Sequence, residues 1–292
     1  MTYRQMWQRL APVMGEGEAK AMARMVFETV CHLTMADLCM GRDAEQDDCL
    51  LEPLVRRMEQ GEPVQYVVGQ TDFCGHTFRV APGVLIPRPE TAALCQWIIG
   101  EWSGTTPPNP ASVLDIGTGS GCIAVTLAKA WPRARVEAWD VSERALDMAR
   151  ENARLNKAGI LFRQVDVLRE SAGLSHTAAD DSSDAQETEP RFGLIVSNPP
   201  YIGRGEARDM EHNVLDYEPH EALFVPDDDP LLFYRAIARL AARRLLPGGS
   251  LFFEINPLYA EPLGLMLRQS GFGHVELRPD PFGKPRMMKA KR

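Results

Sequence analysis

Three short segments carry residue types and spacings that could do chemistry. The first is Val113-Leu-Asp115-Ile-Gly117-Thr118-Gly119-Ser120-Gly121, an apolar run ending in a glycine-rich turn that leads into Cys122-Ile-Ala-Val-Thr-Leu. A strand, a glycine turn and a helix in that order bring backbone close to a ligand where side chains would collide. Nicotinamide cofactors, flavins and S-adenosylmethionine all use such turns. Here the spacing is G-x-G-x-G rather than the G-x-G-x-x-G of dinucleotide binders, and the Asp115 carboxylate would repel a pyrophosphate. A cationic, amino-acid-bearing ligand is favoured, with Asp115 facing its ammonium, and S-adenosylmethionine is the obvious one.

The second segment ends at Asp140, which closes Val136-Glu-Ala-Trp-Asp140, 25 residues after Asp115. One helix and one strand fill that gap, so Asp140 stands at the neighbouring strand end, where it can accept bonds from both hydroxyls of a ribose. Asp166 closes a third strand, and either bonds an adenine amino group or caps the next turn. The third segment is Ser197-Asn198-Pro199-Pro200-Tyr201, after the very apolar Phe192-Gly-Leu-Ile-Val196. Two prolines remove two backbone donors, which leaves the Asn198 side-chain carbonyl and the Pro199 main-chain carbonyl as a rim of acceptors. Such a rim suits a planar NH2 group, with Tyr201 packed on its flat face and the nitrogen held opposite a methyl sulfonium.

These segments need a sheet to bring them together. Strands are predicted at 112–116, 136–140, 160–165, 192–197, 250–255, 274–277 and 286–290, most with helical patterns between them, which implies an α/β fold with a mainly parallel, doubly wound sheet. Ser142 opens a helix running to Gly159, Asp229-Pro230 opens another, and Asn256-Pro257 a third. The first 60 residues are different. Ala19, Met22, Val26, Val30 and Leu33 recur at helical steps over 18–40, and Leu50, Leu51, Leu54, Val55 and Met58 repeat the pattern up to Gly61. A small helical bundle follows, whose methionines (Met22, Met25, Met35, Met40, Met58) fill a core or form an adaptable surface. Val64-Gln-Tyr-Val-Val68 and His76-Thr-Phe-Arg-Val80 read as short strands and turns. The expected organisation is a helical domain over 1–65, a β-hairpin connector over 66–90 and a catalytic domain over 91–292.

Residues 171–190 hold Asp180, Asp181, Asp184, Glu187 and Glu189 with no basic residue and one large aliphatic, and read as a disordered acidic insertion. That stretch contributes −5 to a formal net charge of −8, so the rest of the 292-residue chain carries only −3. An acidic chain is a poor nonspecific nucleic-acid binder, and no stable nucleic-acid partner is expected. The six cysteines form neither a C-x-x-C pair nor a disulfide framework, and no apolar stretch is long enough to span a membrane, so a reduced, cytoplasmic protein is expected. The six histidines lack ligand spacing; His212 and His220 beside Glu211 and Glu218 read as surface residues, and no metal is expected.

The Asp115–Gly121 and Asn198–Tyr201 segments together resemble the class I S-adenosylmethionine-dependent methyltransferases that act on planar NH2 nitrogen. Gly61-Glu-Pro-Val-Gln-Tyr-Val-Val-Gly69, Phe73, Phe78, Gly83-Val-Leu-Ile-Pro-Arg-Pro-Glu-Thr91, Tyr217-Glu-Pro219, Ala222-Leu223 and Gly283-Lys-Pro-Arg286 are similar, more narrowly, to the release factor glutamine methyltransferases of the HemK/PrmC family. That resemblance implies a Rossmann-like seven-stranded sheet with an antiparallel last strand. It also implies methylation of the glutamine side-chain nitrogen in the Gly-Gly-Gln motif of release factors by a monomer, with S-adenosylhomocysteine as product. Gly117, Thr118, Gly119, Ser120, Gly121, Asp140, Asp166, Val167 and Asn198 would then contact the methyl donor, with Val167 where some relatives place an aromatic residue against adenine. Asn198, Pro199, Pro200 and Tyr201 would hold the glutamine. Two relatives share the Asn-Pro-Pro-Tyr motif: the glutamine methyltransferase of a ribosomal protein, from which Arg88-Pro-Glu-Thr91 departs, and DNA adenine methyltransferases, which need a flipped base and a target-recognition domain absent here.

Overall fold

The computed structural model describes residues 1–43, 48–104, 109–173 and 190–292. It divides into two compact units, one of Met1–Thr71, Val80–Pro82 and Met210–Glu218, the other of Asp72–Arg79, Gly83–Asp209 and Pro219–Arg292. The first unit is built from α1 (Tyr3–Met14), α2 (Glu16–Val30), α3 (Met35–Cys39), α4 (Asp48–Glu59) and α5 (Val64–Val68). Met6 and Leu10 of α1, Ala23, Val26 and Phe27 of α2, and Leu51, Val55 and Met58 of α4 share one core. Each large side chain fully buried there contributes about 1.5–3 kcal/mol. Arg9 clamps α1 to α4 with a two-pronged bond to Glu59 (2.6 and 2.8 Å) and a third bond to Glu52 (2.6 Å). The methionines divide: Met22 and Met58 are core, whereas Met35 and Met40 are exposed.

Two expectations fail in this unit. The helix expected over 18–40 is broken, because His32 adopts a left-handed backbone (φ 56°) and the Leu33 N–H donates to the Phe27 carbonyl, closing α2. Thr34 and Asp37 then cap α3 reciprocally, Asp37 Oδ2 accepting from the Thr34 N–H at 3.0 Å and Thr34 Oγ1 from the Asp37 N–H at 3.3 Å. Residues 64–68, expected as a strand, are helical. The Tyr66 and Val67 N–H groups donate to the Pro63 carbonyl, Gly69 ends the turn in a left-handed conformation, and Val64 and Val67 gain burial in the helical core. Packing overrides their β-branched preference.

Next along the chain come a hairpin, β1 (Gln70–Phe73) and β2 (His76–Arg79), then α6 (Pro89–Glu101), β3 (Ser112–Ile116), α7 (Cys122–Ala130), β4 (Arg135–Asp140), α8 (Glu143–Leu155), β5 (Ile160–Gln164) and α9 (Val167–Ser171). After β6 (Phe192–Ser197) and the short β7 (Ile202–Gly203), α10 (His212–Tyr217) belongs to the first unit, where Tyr217 Oη donates to the Gln60 carbonyl at 2.9 Å. This return of 210–218 to the helical unit was not expected. The chain ends with α11 (His220–Leu223), β8 (Phe224–Val225), α12 (Leu232–Arg244), β9 (Leu245–Glu254), α13 (Ala260–Gln269), β10 (His274–Pro279) and β11 (Pro285–Lys291). Of the acidic insertion expected over 171–190, Ser171 still belongs to α9, and 174–189 lie outside the described residues.

The second unit is the expected α/β sheet of seven strands, ordered β10-β11-β9-β6-β3-β4-β5. All neighbours run parallel except β11, which is antiparallel to both β9 and β10. Every residue of β3 is buried, with Val113 packing on one face and Leu114 and Ile116 in the cluster on the other. From β3 the chain winds outward through β4 and β5, then crosses back to β6 on the other side of β3. That reversal leaves a crevice beyond the carboxyl ends of β3 and β6, the place where open parallel sheets bind ligands.

Candidate active site

The carboxyl ends of β3 and β6 are stitched together by Ser197 Oγ, which donates to the Ile116 carbonyl at 2.7 Å. The glycine turn follows β3 directly and the Asn-Pro-Pro turn follows β6. Gly117, Gly119 and Gly121 all have positive φ (70°, 55° and 81°). A side chain at Gly119 would meet nothing within 4 Å, so the bare backbone there is open to a ligand, whereas a Cβ at Gly121 would lie 3.0 Å from that of Ala149. The Asn198 carbonyl oxygen sits 4.0 Å from where a Gly117 Cβ would be, which sets the two turns side by side.

One cleft runs over both turns. Its walls include Gly83–Arg88, Thr91, Ile116–Ser120, Asp140–Ser142, Val165–Val167, Ser197–Pro200, Glu221, Phe233 and Ile237. Thus Gly117, Thr118, Gly119, Ser120, Asp140, Asp166, Val167, Asn198, Pro199 and Pro200 come together, while Asp115, Gly121 and Tyr201 stand behind the walls. Asp140 is the pivot of the glycine side: Oδ2 accepts the Gly119 N–H and Oδ1 the Ser142 N–H, both at 2.9 Å. Each oxygen keeps a lone pair for a hydroxyl. Asp166 caps α9, with Oδ1 accepting from the Leu168 N–H at 2.9 Å, and Oδ2 is left for a ligand.

Asp115 departs from the expected position. Its side chain turns under the glycine turn, fully buried, and Oδ2 accepts the Thr118 hydroxyl at 2.6 Å. Oδ1 has no hydrogen-bond partner, and the Ala124 N–H favours the charged form of the carboxyl. Burial lifts this carboxyl to about 7, with Asp140 adding repulsion, and burial also raises Asp140. Of the charged side chains on the cleft wall, Asp140, Asp166 and Glu221 outnumber Arg88. An unpartnered buried oxygen and an acidic wall fit a cation, and the apolar Val165, Val167, Phe233 and Ile237 fit a flat ring, so the residues present suit S-adenosylmethionine.

On the other side, Asn198 Nδ2 donates to Thr91 Oγ1 at 3.1 Å, which leaves Oδ1 as the group offered to the cleft. The Thr91 hydroxyl donates to Glu254 Oε2 at 2.6 Å. Tyr201, expected on the face of a substrate, instead donates from Oη to Glu254 Oε1 at 3.0 Å, and its carbonyl accepts from Asn256 Nδ2 at 3.1 Å. The difference has a plain cause: Glu254 is buried and needs donors. Burial raises both the Glu254 carboxyl and the Tyr201 phenol, and the two hydroxyl bonds to Glu254 oppose its own shift.

Sequence reasoning gave no role to Glu254, Thr91 or Asn152. Glu254 carries a visible signal, an acid ending the apolar run Leu251-Phe-Phe at the carboxyl end of a strand. Asn152 interrupts the small apolar face of α8 (Ala145, Leu146, Ala149, Ala153). Fully buried, it donates to the Ser120 carbonyl at 2.8 Å and exchanges two bonds with the Arg79 backbone, so it braces the glycine turn.

A parallel sheet with this crevice, a glycine turn after its central strand and an acceptor turn on the next define a class I methyltransferase fold. A T. thermophilus 16S rRNA methyltransferase, solved in complex with AdoMet and guanosine, shares it with a TM-score of 0.52 at 20% identity, over 76% of this chain and 49% of that one. Residues 4–69 match the family "PrmC N-terminal domain" and 105–217 the "Methyltransferase small domain". A release factor glutamine methyltransferase of Bacteroides thetaiotaomicron is 43% identical over 98% of this chain and 97% of its own length. That of Flavobacterium psychrophilum is 39% identical over 97% and 95%. The chain belongs to the release factor glutamine methyltransferase family.

Proposed function

We propose that this protein transfers a methyl group from S-adenosylmethionine to the side-chain amide nitrogen of the glutamine in the Gly-Gly-Gln motif of peptide chain release factors. The observation that carries the reading is Asn198: its Nδ2 is committed to Thr91, and it opens an acceptor onto a cleft beside two prolines that have no N–H to offer. When bound, the donor supplies an electrophilic methyl on a cationic sulfur. Asp140 holds ribose hydroxyls, Val165 and Val167 flank the adenine, Asp166 Oδ2 accepts from its amino group, and Asp115 and Asp140 balance the positive charge.

An amide nitrogen is a weak nucleophile because its lone pair is delocalised into the carbonyl. Asn198 Oδ1 and the Pro199 carbonyl accept its two N–H bonds, which raises electron density on nitrogen and fixes it for in-line displacement. The new N–C bond would form as the donor's C–S bond breaks, leaving S-adenosylhomocysteine, and the methylated nitrogen, made strongly acidic by its positive charge, would lose its proton to water. Among the described residues no helix is long and apolar enough to cross a membrane, and all six cysteines are free. Free thiols fit a reducing compartment such as the cytoplasm, and this reading has the protein work there as a monomer.

The test offers the protein a release factor, a ribosomal protein and DNA together with methyl-labelled donor. Label on the release factor is expected. Label on the ribosomal protein would move the assignment to that glutamine methyltransferase, and label on DNA alone would overturn the protein-substrate reading.

A further inference from the structure

The acceptor turn is held by a chain of bonds that starts at the far end of another strand. Glu254, 1% exposed, is the last residue of β9, and its carboxylate can only accept. It takes one hydrogen from Thr91, 3% exposed, at 2.6 Å and another from Tyr201 at 3.0 Å. A hydroxyl has a single hydrogen. With that of Thr91 spent on Glu254, only lone pairs remain toward Asn198, 3.1 Å away. The amide must turn its NH2 to Thr91, since the reverse orientation would set two lone pairs against each other.

Resting on the methyl-transfer reading above, we infer that Glu254, acting through Thr91, locks the Asn198 amide with its oxygen toward the substrate, and so makes the site take an amide and refuse a carboxylate. Glu254 and Thr91 are positioning residues: neither reaches the reacting nitrogen, but together they decide which end of Asn198 does. A glutamine side chain brings two N–H donors to the rim. A glutamate brings only lone pairs, to acceptors that cannot turn over. Specificity arises because the wrong group leaves polar atoms unpaired in a buried site.

The experiment uses full-length protein, an intact release factor and the same factor with its motif glutamine changed to glutamate. Thr91→Val keeps the shape and removes the hydroxyl; Thr91→Ser restores it. In wild-type protein the glutamate factor is expected to compete poorly. In Thr91→Val, kcat should fall at least about tenfold, and the glutamate factor should compete about tenfold better, with donor affinity unchanged; Thr91→Ser should recover both wild-type values. A purely structural defect would lower rate and donor binding together without improving competition by the glutamate factor. Glu254→Gln supplies a second route, because an amide there can donate to Thr91 and free its hydrogen for Asn198, relaxing discrimination in the same direction. Wild-type rate and discrimination in whichever of Thr91→Val and Glu254→Gln folds would overturn the inference. A wild-type protein that methylates neither factor would overturn the methyl-transfer reading instead.

Discussion

The two walls of the cleft are built on opposite plans. The glycine wall is local and made of backbone: a turn of consecutive residues, Gly117 to Gly121, with Asp140 accepting the Gly119 N–H and Asp115 left half-partnered beneath it. The acceptor wall is made of side chains linked across the whole domain, since Thr91 and Glu254 are 163 residues apart in sequence yet 2.6 Å apart in space. A wall of backbone edged by the carboxylates Asp140, Asp166 and Glu221 can take a cation by Coulomb attraction with little demand on geometry. A wall that must tell an amide from a carboxylate needs its own hydrogen-bond direction fixed, and only a chain ending in an acceptor-only group such as Glu254 can do that.

The sharpest way to break this contrast is to strike each wall and ask what is lost. Asn198→Ala should cut kcat by about 10²–10³-fold, the range for removing one preorganised polar group from a reacting centre, while calorimetric donor affinity holds. Loss of donor affinity with kcat intact would reverse the roles of the walls. Asp140→Ala should do the opposite, weakening the donor by about tenfold or more through the lost ribose acceptors and the two orphaned N–H groups at Gly119 and Ser142, with a smaller change in kcat at saturation.

Gly121→Ala tests the local character of the glycine wall. A Cβ there combines a left-handed φ with a 3.0 Å approach to Ala149, so the fold should lose about 1–3 kcal/mol, read as a lower thermal midpoint.

The remaining effect is in pH. An unfolded chain ionises Asp115 near pH 4, whereas the folded protein keeps its proton to about 7. Each step up through that window therefore costs the folded state, and above about pH 7 the cost stops growing. The unliganded protein should gain stability from this group as pH falls from 7 to 4, and Asp115→Asn should lose that component in melts across the window. An unchanged slope would remove Asp115 as the titrating group.

The same contrast explains what could be read without coordinates. The glycine turn, Asp140, the Asn-Pro-Pro turn and the strands bearing them were legible because each is a contiguous pattern whose physics is local: apolar runs, missing N–H groups, glycines where φ must be positive. The strand reading of Val64–Val68 failed because burial against Met58 and its neighbours, not propensity, decides that segment. The helix break at His32 was hidden because a left-handed histidine carries no strong sequence mark, although the Thr34-x-x-Asp37 cap beyond it was readable. The placements of Asp115 and Tyr201 depend on which partner lies behind the wall, Thr118 in one case and Glu254 in the other, and no spacing along the chain encodes that.

The central claim is that the acceptor wall presents a release-factor glutamine to the methyl donor. Tandem mass spectrometry of a release factor incubated with this protein and S-adenosylmethionine tests it most directly. One methyl group on the side-chain amide nitrogen of the Gly-Gly-Gln glutamine is predicted; a methyl group on any other residue, or none on that glutamine, would contradict it.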